Sequence, residues 1–380
     1  MDFRWTDSAR DLHDRILRFA RERLPTRPGA RGRDGFSLAD WRHCAEFGLT
    51  GLCVSEAFGG LGLGALETAY GFEAFGHGCE NAGLVFSVGA HLFACAVPIA
   101  THGSETVKGR VLARLARGEW IGANAITEAE AGSDTSLLST RARRDGDGYV
   151  IDGVKSYVTN APVADVMVVY ATTNPSHGHL GLSAFVVEKG MPGLSIGEPF
   201  AKMGLTASPI ASVYLDGCRV PAANRLGDEG KGAAIFADSM GWERACLFAG
   251  YLGSMERQVT RCVDFAKTRR QFGKPIGKQQ AIAHRIVDMK LRLEAARLLV
   301  YRACWLMDQG EPAVLEVACA KLAVSEAAIR AGLDAIQIHG GAGFIVETGV
   351  ECALRDAVGS TLFSGTSEIQ RNIIAARLGL

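Results

Sequence analysis

Glu243 is where this sequence first invites a chemical reading. It sits in Ser239-Met240-Gly241-Trp242-Glu243-Arg244, which the residue pattern places at the head of a long helical segment running to about Arg270. A carboxylate near a helix start is stabilised by free backbone N–H groups, whereas burial among Trp242, Cys246 and Leu247 pushes its pKa upward. Opposed pulls of that kind tune a general base. An ordinary first-turn glutamate is the plainer reading, and the helix alone does not separate the two.

Further stretches carry groups suited to binding. Ala125-Ile126-Thr127-Glu128-Ala129-Glu130-Ala131-Gly132-Ser133-Asp134 puts hydroxyls and small residues in a tight loop, where backbone N–H groups and side-chain oxygens can approach a planar polar ring or a phosphate. In Gly153-Val154-Lys155-Ser156-Tyr157-Val158-Thr159-Asn160-Ala161 an aromatic and a hydroxyl share one face if the segment is extended. Lys202 to Pro209, Arg269-Arg270-Gln271-Phe272-Gly273-Lys274 with Gln280, Gln337-Ile338-His339-Gly340-Gly341 and Phe363-Ser364-Gly365-Thr366-Ser367-Glu368 complete the set. Taken singly, each also reads as sheet packing, a hairpin turn, a solvated basic face or a helix cap.

The elements that must position these groups fall into three blocks. Residues 1–122 read mainly as helices, with Leu12, Ile16, Leu17 and Phe19 on one face and Ser37 as a helix start. The glycine-rich run Ser55 to Gly64 misses the dinucleotide-loop spacing and follows no strand, so it reads as a connection between helices. Residues 123–232 switch to period two and β-branched runs, as in Tyr149 to Gly153, Asp165 to Ala171 and Ser183 to Glu188, which predicts a compact antiparallel sheet or barrel. Residues 233–380 return to long helical patterns, broken at Gln309-Gly310-Glu311-Pro312, which suits a helical bundle. Helices, sheet, helices is an α+β architecture.

Composition narrows the function classes. In 380 residues, 41 basic side chains balance 41 acidic ones, so no overall field draws the chain to nucleic acid or membrane. A charged N-terminus and the lack of a long uninterrupted apolar run predict a cytosolic protein. Ten scattered cysteines without a Cys-x-x-Cys pair read as reduced core thiols, and His177-Gly178-His179 as a solvated loop rather than a metal site.

In their order and separations these stretches resemble the acyl-CoA dehydrogenase family across essentially the whole chain. That resemblance implies an N-terminal helical domain, a central antiparallel β-domain, a C-terminal four-helix bundle and FAD as cofactor, held between the sheet, the bundle and a neighbouring subunit of a homo-oligomer, a tetramer. Carried over by position, Thr127 and Ser133 would bond the flavin ring and pyrophosphate, and Tyr157, Val158 and Thr159 would line the isoalloxazine. Arg269, Phe272, Gln280, Gln337, Gly340 and Gly341 would hold the adenosine and phosphates, largely across the subunit interface, with Thr366 and Glu368 completing the site. Tyr157 stands where the family usually has Trp, and Ala129 replaces the usual proline, which would loosen its turn.

The family's usual base lies in a Tyr-Glu-Gly-Thr motif, and here Phe363-Ser364-Gly365-Thr366 has serine instead. A minority of members place the glutamate on the bundle helix before an arginine, which Glu243-Arg244 matches. The resemblance then assigns Glu243 to the α-proton, the Ser364 backbone N–H to the thioester carbonyl, Arg244 to the substrate, and flavin N5 to the β-hydride. Within the family the likeness is greatest to the branch acting on acyl or peptidyl carrier proteins, and there to oxidation of L-prolyl to pyrrole-2-carboxyl in natural-product pathways. A short- or branched-chain acyl-CoA dehydrogenase and a flavin-binding scaffold without catalysis stay open as alternatives.

Overall fold

The computed structural model describes residues 4–24 and 35–380. Helices α1 (Asp7–Arg23), α2 (Leu38–Phe47) and α3 (Ala65–Gly78) open the chain. Ser37 caps α2 as expected, its hydroxyl accepting from the Asp40 N–H at 3.2 Å. The glycine-rich run is a helix connection, and its end is held by a distant residue. Asp308 accepts the first N–H groups of α3, from Ala65 at 2.6 Å and Leu66 at 3.0 Å. Gly64 is required there because a Cβ would stand 2.7 Å from the same carboxylate.

Next come α4 (Ala82–Gly89), a π-helical turn (Ala90–Ala96), α5 (Val97–His102) and α6 (Glu105–Ala116). The run Ala82–His102 is long and apolar enough to cross a bilayer, against the expectation that no such segment exists, but 94% of its apolar window is buried inside the protein. Its hydrophobicity is spent on the core.

The central strands are β1 (Gly122–Ala125), β2 (Arg141–Asp145), β3 (Gly148–Thr159), β4 (Val166–Thr172), β5 (Leu182–Glu188), β6 (Leu194–Ile196), β7 (Ile210–Pro221) and β8 (Arg225–Leu226). Their order is β6-β7-β3-β2-β4-β5-β8, with β1 beside β4. The expected all-antiparallel sheet is corrected to a mixed one: β1 runs parallel to β4, from Gly122 against Val166 to Ala125 against Val169. Parallel neighbours need a long crossover, and residues 126–165, carrying the β2–β3 hairpin, supply it. Strand β4 alternates as a doubly buried strand does. Val166, Val168 and Tyr170 join the core shared with the helices, while Met167, Val169 and Ala171 fill the core on the other face of the sheet.

From Gly232 the chain is helical: α7 (Gly232–Trp242), a π-helical turn (Glu243–Leu247) and α8 (Phe248–Thr268) form one continuous run. Helices α9 (Gln280–Asp308) and α10 (Val314–His339) pack with α8, the short α11 (Gly341–Phe344) and α12 (Cys352–Val358) follow, and α13 (Ser367–Arg377) lies against α10, which completes the bundle. Close approach of α3 to α8 requires small residues. A Cβ on Gly76 would sit 2.0 Å from the Gly250 carbonyl oxygen. Glu73 of α3 then takes Arg297 at 2.7 Å, and Arg297 also reaches Glu256 of α8 at 2.8 Å, tying the first block to the last. All ten cysteines are free thiols, most of them buried.

Candidate active site

A cavity of about 720 Å³ opens where the three blocks meet, walled by α4 and its π turn, the loop after β1, the bulged middle of β3, the π turn of the bundle helix and the segment before α13. Glu243 lines it. The residue is not at a helix start, as the pattern suggested, but deep inside the α7–α8 run, with its own N–H turned back to the Met240 and Ser239 carbonyls. Helix-start N–H groups therefore do not hold its charge. The π turn begins at Glu243 and packs on the π turn Ala90–Ala96, where Ser239 Oγ donates to the Phe93 carbonyl at 3.0 Å. Paired π turns of this kind mark places where a helix re-aims a side chain.

What compensates Glu243 is Ser364. Its hydroxyl donates to Glu243 Oε1. Burial drives the Glu243 carboxyl above its ordinary range, and the Ser364 hydrogen bond, then Arg244 and Lys321, pull it back. The residues sit in a turn of left-handed backbone, φ +57° at Ser364 and +85° at Gly365. Arg244 Nε grips it at the Ser364 carbonyl (2.7 Å), and Gln370 Nε2 at the Gly365 carbonyl (2.9 Å). The Ser364 N–H has no acceptor among the described residues. Arg244 is absent from the cavity wall, so its observed work is to position the Ser364 turn rather than to touch what the cavity holds.

Lys321 escaped the sequence reading. Its ammonium is fully buried, has no hydrogen-bond partner among the described residues and lies 5.4 Å from the Phe248 ring centroid. Burial lowers its pKa to about 8, with Arg244 adding to that pull and Glu368 and Glu243 opposing it. A lysine among Ala318, Ala320 and Val324 on the buried side of α10 was the available signal.

The hydroxyl-bearing loop also lines the cavity, through Thr127 and Ser133, with Tyr157 and Thr159 beside it. Tyr157 is not in extended backbone: a bulge between Lys155 and Val158 gives it φ +57° and turns its ring outward. Val158 departs from expectation, since its side chain fills the sheet core and the residue does not line the cavity. Nor is the loop slack at Ala129. Reciprocal bonds between Glu128 and Ala131, at 3.0 and 3.2 Å, close the turn.

A buried ion pair fixes this loop. Glu128 accepts from Lys155 Nζ at 2.7 Å, from the Ser139 and Thr140 N–H groups at 2.7 and 3.0 Å, and from both hydroxyls. Burial alone would raise its carboxyl, but those donors outweigh it and bring it down to about 2. Its stabilising contribution is therefore complete above the ordinary value of 4.5 and is lost as pH falls toward about 2. Lys155→Met leaves that carboxylate buried without its counter-charge, and the expected cost is about 3–5 kcal/mol. Urea unfolding at pH 7 measures it; a change below about 1 kcal/mol removes the pair from the scaffold's energetics.

The remaining expected residues lie elsewhere. Arg269, Phe272 and Gln280 surround the hairpin after α8, and Phe272 is 91% exposed at φ +50°. Gln337, Gly340 and Gly341 close α10 at the same end of the bundle, where His339 stacks on Phe265 at 4.2 Å. None of them lines the cavity. Thr366 does, and it caps α13 by accepting from the Ile369 N–H at 3.2 Å, while Glu368 stands exposed in the first turn.

Residues 6–119 match the family "Acyl-CoA dehydrogenase, N-terminal domain", residues 123–218 its middle domain and residues 230–379 its C-terminal domain. The chain is 51% identical over 381 aligned positions to the L-prolyl-[peptidyl-carrier protein] dehydrogenase of Pseudomonas fluorescens, covering 100% of both chains. It is 45% identical to the protein of the same name from a Serratia species, covering 100% of this chain and 99% of that one. Among solved structures, "PigA with FAD and proline" is similar at 44% identity and a TM-score of 0.97, covering 100% of each chain.

Proposed function

We propose that this chain, which belongs to the acyl-CoA dehydrogenase family, is an FAD-dependent dehydrogenase of a prolyl thioester carried on a peptidyl carrier protein, converting L-prolyl to pyrrole-2-carboxyl. The observation that carries this reading is a buried carboxylate, Glu243, hydrogen-bonded by Ser364 in the same cavity as the hydroxyl loop.

The residues present fit the cofactor. The hydroxyls of Thr127, Ser133 and Thr159 make no hydrogen bond within the described residues, and Tyr157 offers a flat ring, the donor set that a flavin ring and its pyrophosphate need. When bound, FAD supplies a hydride acceptor. The chain's own groups handle the proton and the carbonyl. Glu243 takes the α-proton of the thioester, and the unpaired Ser364 N–H donates to the carbonyl oxygen as enolate charge develops there. Arg244 and Gln370 hold that N–H in place by gripping the turn's carbonyls. Two rounds of proton and hydride removal, with two electrons passed on to an external acceptor after each, would take the saturated ring to the aromatic one, four hydrogens in all.

Arg269, Phe272, Gln280, Gln337, Gly340 and Gly341 are assigned to the adenosine and phosphates of FAD held by a second copy of the chain. Their exposure at the bundle end supports this, as do the exposed apolar side chains Val287, Leu291 and Leu298 on α9. On this reading the enzyme is a cytosolic homo-oligomer, a tetramer in keeping with its family.

Mass spectrometry of prolyl-loaded carrier protein after incubation with the enzyme tests the proposal. The expected product is lighter by the mass of four hydrogens. Oxidation of short acyl-CoA esters with the prolyl carrier left untouched would withdraw the substrate assignment.

A further inference from the structure

We infer that the ring pair Phe86–Phe363 is a partition that confines this enzyme to compact acyl groups, by sealing the reaction cavity from a second, apolar chamber behind it. The inference rests on the acyl-thioester reading above and narrows its substrate class to groups about as large as a five-membered ring.

Phe86 of α4 belongs to two spaces at once. One of its sides faces the cavity that holds Glu243 and Ser364; the other faces a chamber of about 20 Å³ walled by Gly76, Cys79, Ala82, Leu247 and Tyr251. Phe363, the residue before Ser364, closes the gap, its ring centroid 4.5 Å from that of Phe86. Behind it stand Phe248 at 5.7 Å and Tyr251 at 6.5 Å. The Tyr251 hydroxyl donates to the Asp356 carbonyl at 3.1 Å, so this ring is tied to α12. The seal is therefore a packed set of rings rather than one side chain free to swing.

The chamber suits hydrocarbon. Arg257, the charged residue at its edge, is already committed to the carbonyls of Gly76, His77 and Cys79. Ser254 adds one hydroxyl to that wall, so a water there finds few partners, and a space of about 20 Å³ gains room for the end of an alkyl group once the Phe86 ring is cut back. An acyl group with its carbonyl at the Ser364 N–H meets the Phe363 ring one residue away along the chain. Its distal carbons then run along a wall that includes the Phe363 and Phe86 rings.

The test compares butanoyl, hexanoyl and octanoyl thioesters, each presented both on CoA and on the carrier protein, with wild type, Phe86→Ala and Phe86→Leu, so that the ratio is read on whichever carrier the enzyme accepts. Joining the two spaces should raise the hexanoyl-to-butanoyl ratio of kcat/KM at least about tenfold in Phe86→Ala, and by less in Phe86→Leu, because a pocket for extra methylenes discriminates on that scale. Calorimetric binding of the hexanoyl thioester on that same carrier should tighten in parallel. Refilling the chamber in the double variant Phe86→Ala with Ala82→Leu should return the ratio toward wild type. If Phe86→Ala fails to fold, Phe86→Leu and the binding measurement decide alone. An unchanged ratio together with unchanged hexanoyl affinity in the folded variants overturns the partition. Failure of the prolyl-carrier assay leaves this ratio readable, so the two ideas fall separately.

Discussion

Glu243→Gln should slow anaerobic, substrate-dependent bleaching of the flavin by at least about 100-fold, the lower range for loss of a general base. The substitution is close to isosteric. Its amide oxygen can still accept the Ser364 hydroxyl that now bonds Glu243 Oε1, and burial of a neutral amide costs less than burial of a charge. Fold and cofactor content are therefore expected to survive, which the visible spectrum of the variant checks directly. What the amide cannot do is accept the α-proton. Stopped-flow reduction by prolyl carrier protein gives the rate, and a rate within a few-fold of wild type would remove Glu243 from the mechanism. Wild type that never bleaches would instead favour a flavin-binding scaffold.

The second large effect concerns the Ser364 hydroxyl, as distinct from its N–H. Burial holds the Glu243 carboxyl above the ordinary range, and the Ser364 hydrogen bond is the foremost pull in the other direction. Removing the hydroxyl lets the carboxyl rise further, so less carboxylate is present at pH 7 and the acid limb of kcat/KM moves to higher pH. A hydrogen bond to a charged group contributes about 1.5–3 kcal/mol, so the acid limb is expected to move up by about one to two pH units, with activity recovered as pH increases. Ser364→Ala alone is ambiguous, because φ is +57° there and alanine keeps the strained Cβ that serine carries while losing the hydroxyl hydrogen bond that helps hold the turn. Ser364→Gly separates the causes: glycine suits the turn but also lacks the hydroxyl. If the alanine variant loses activity and the glycine variant does not, the effect is backbone strain and the hydroxyl has no tuning role. If both shift the acid limb upward, the hydroxyl holds the base ionised.

These two predictions show which part of the site was readable in advance. The motif residues Thr127, Ser133, Tyr157, Thr159, Glu243, Ser364 and Thr366 do converge on one cavity. Side-chain chemistry is carried by residue type, and hydroxyls beside small residues advertise a binding loop wherever the loop ends up. The buried support behind them was not readable in the same way. Nothing local marks Glu128 as the anchor of its loop, and only the fold brings Lys155, Ser139 and Thr140 around it. Arg244 looked like a substrate ligand, and only the fold sets the Ser364 carbonyl within its reach.

The sequence by itself determined what local physics controls. Ser37 and Thr366 mark their helix starts because a side-chain oxygen satisfies N–H groups a few residues away. The β-branched alternation of β4 and the long apolar periodicity of α8 to α10 declare their elements through burial at a fixed period. Tertiary structure decided the rest: the parallel pairing of β1 with β4, the place of Glu243 in a π turn deep inside a helix, and the ring pair that closes the cavity behind it. Each of those depends on partners tens to hundreds of residues away in the chain. No local preference encodes which carbonyl, carboxylate or ring will stand opposite, and only the packed core supplies that partner.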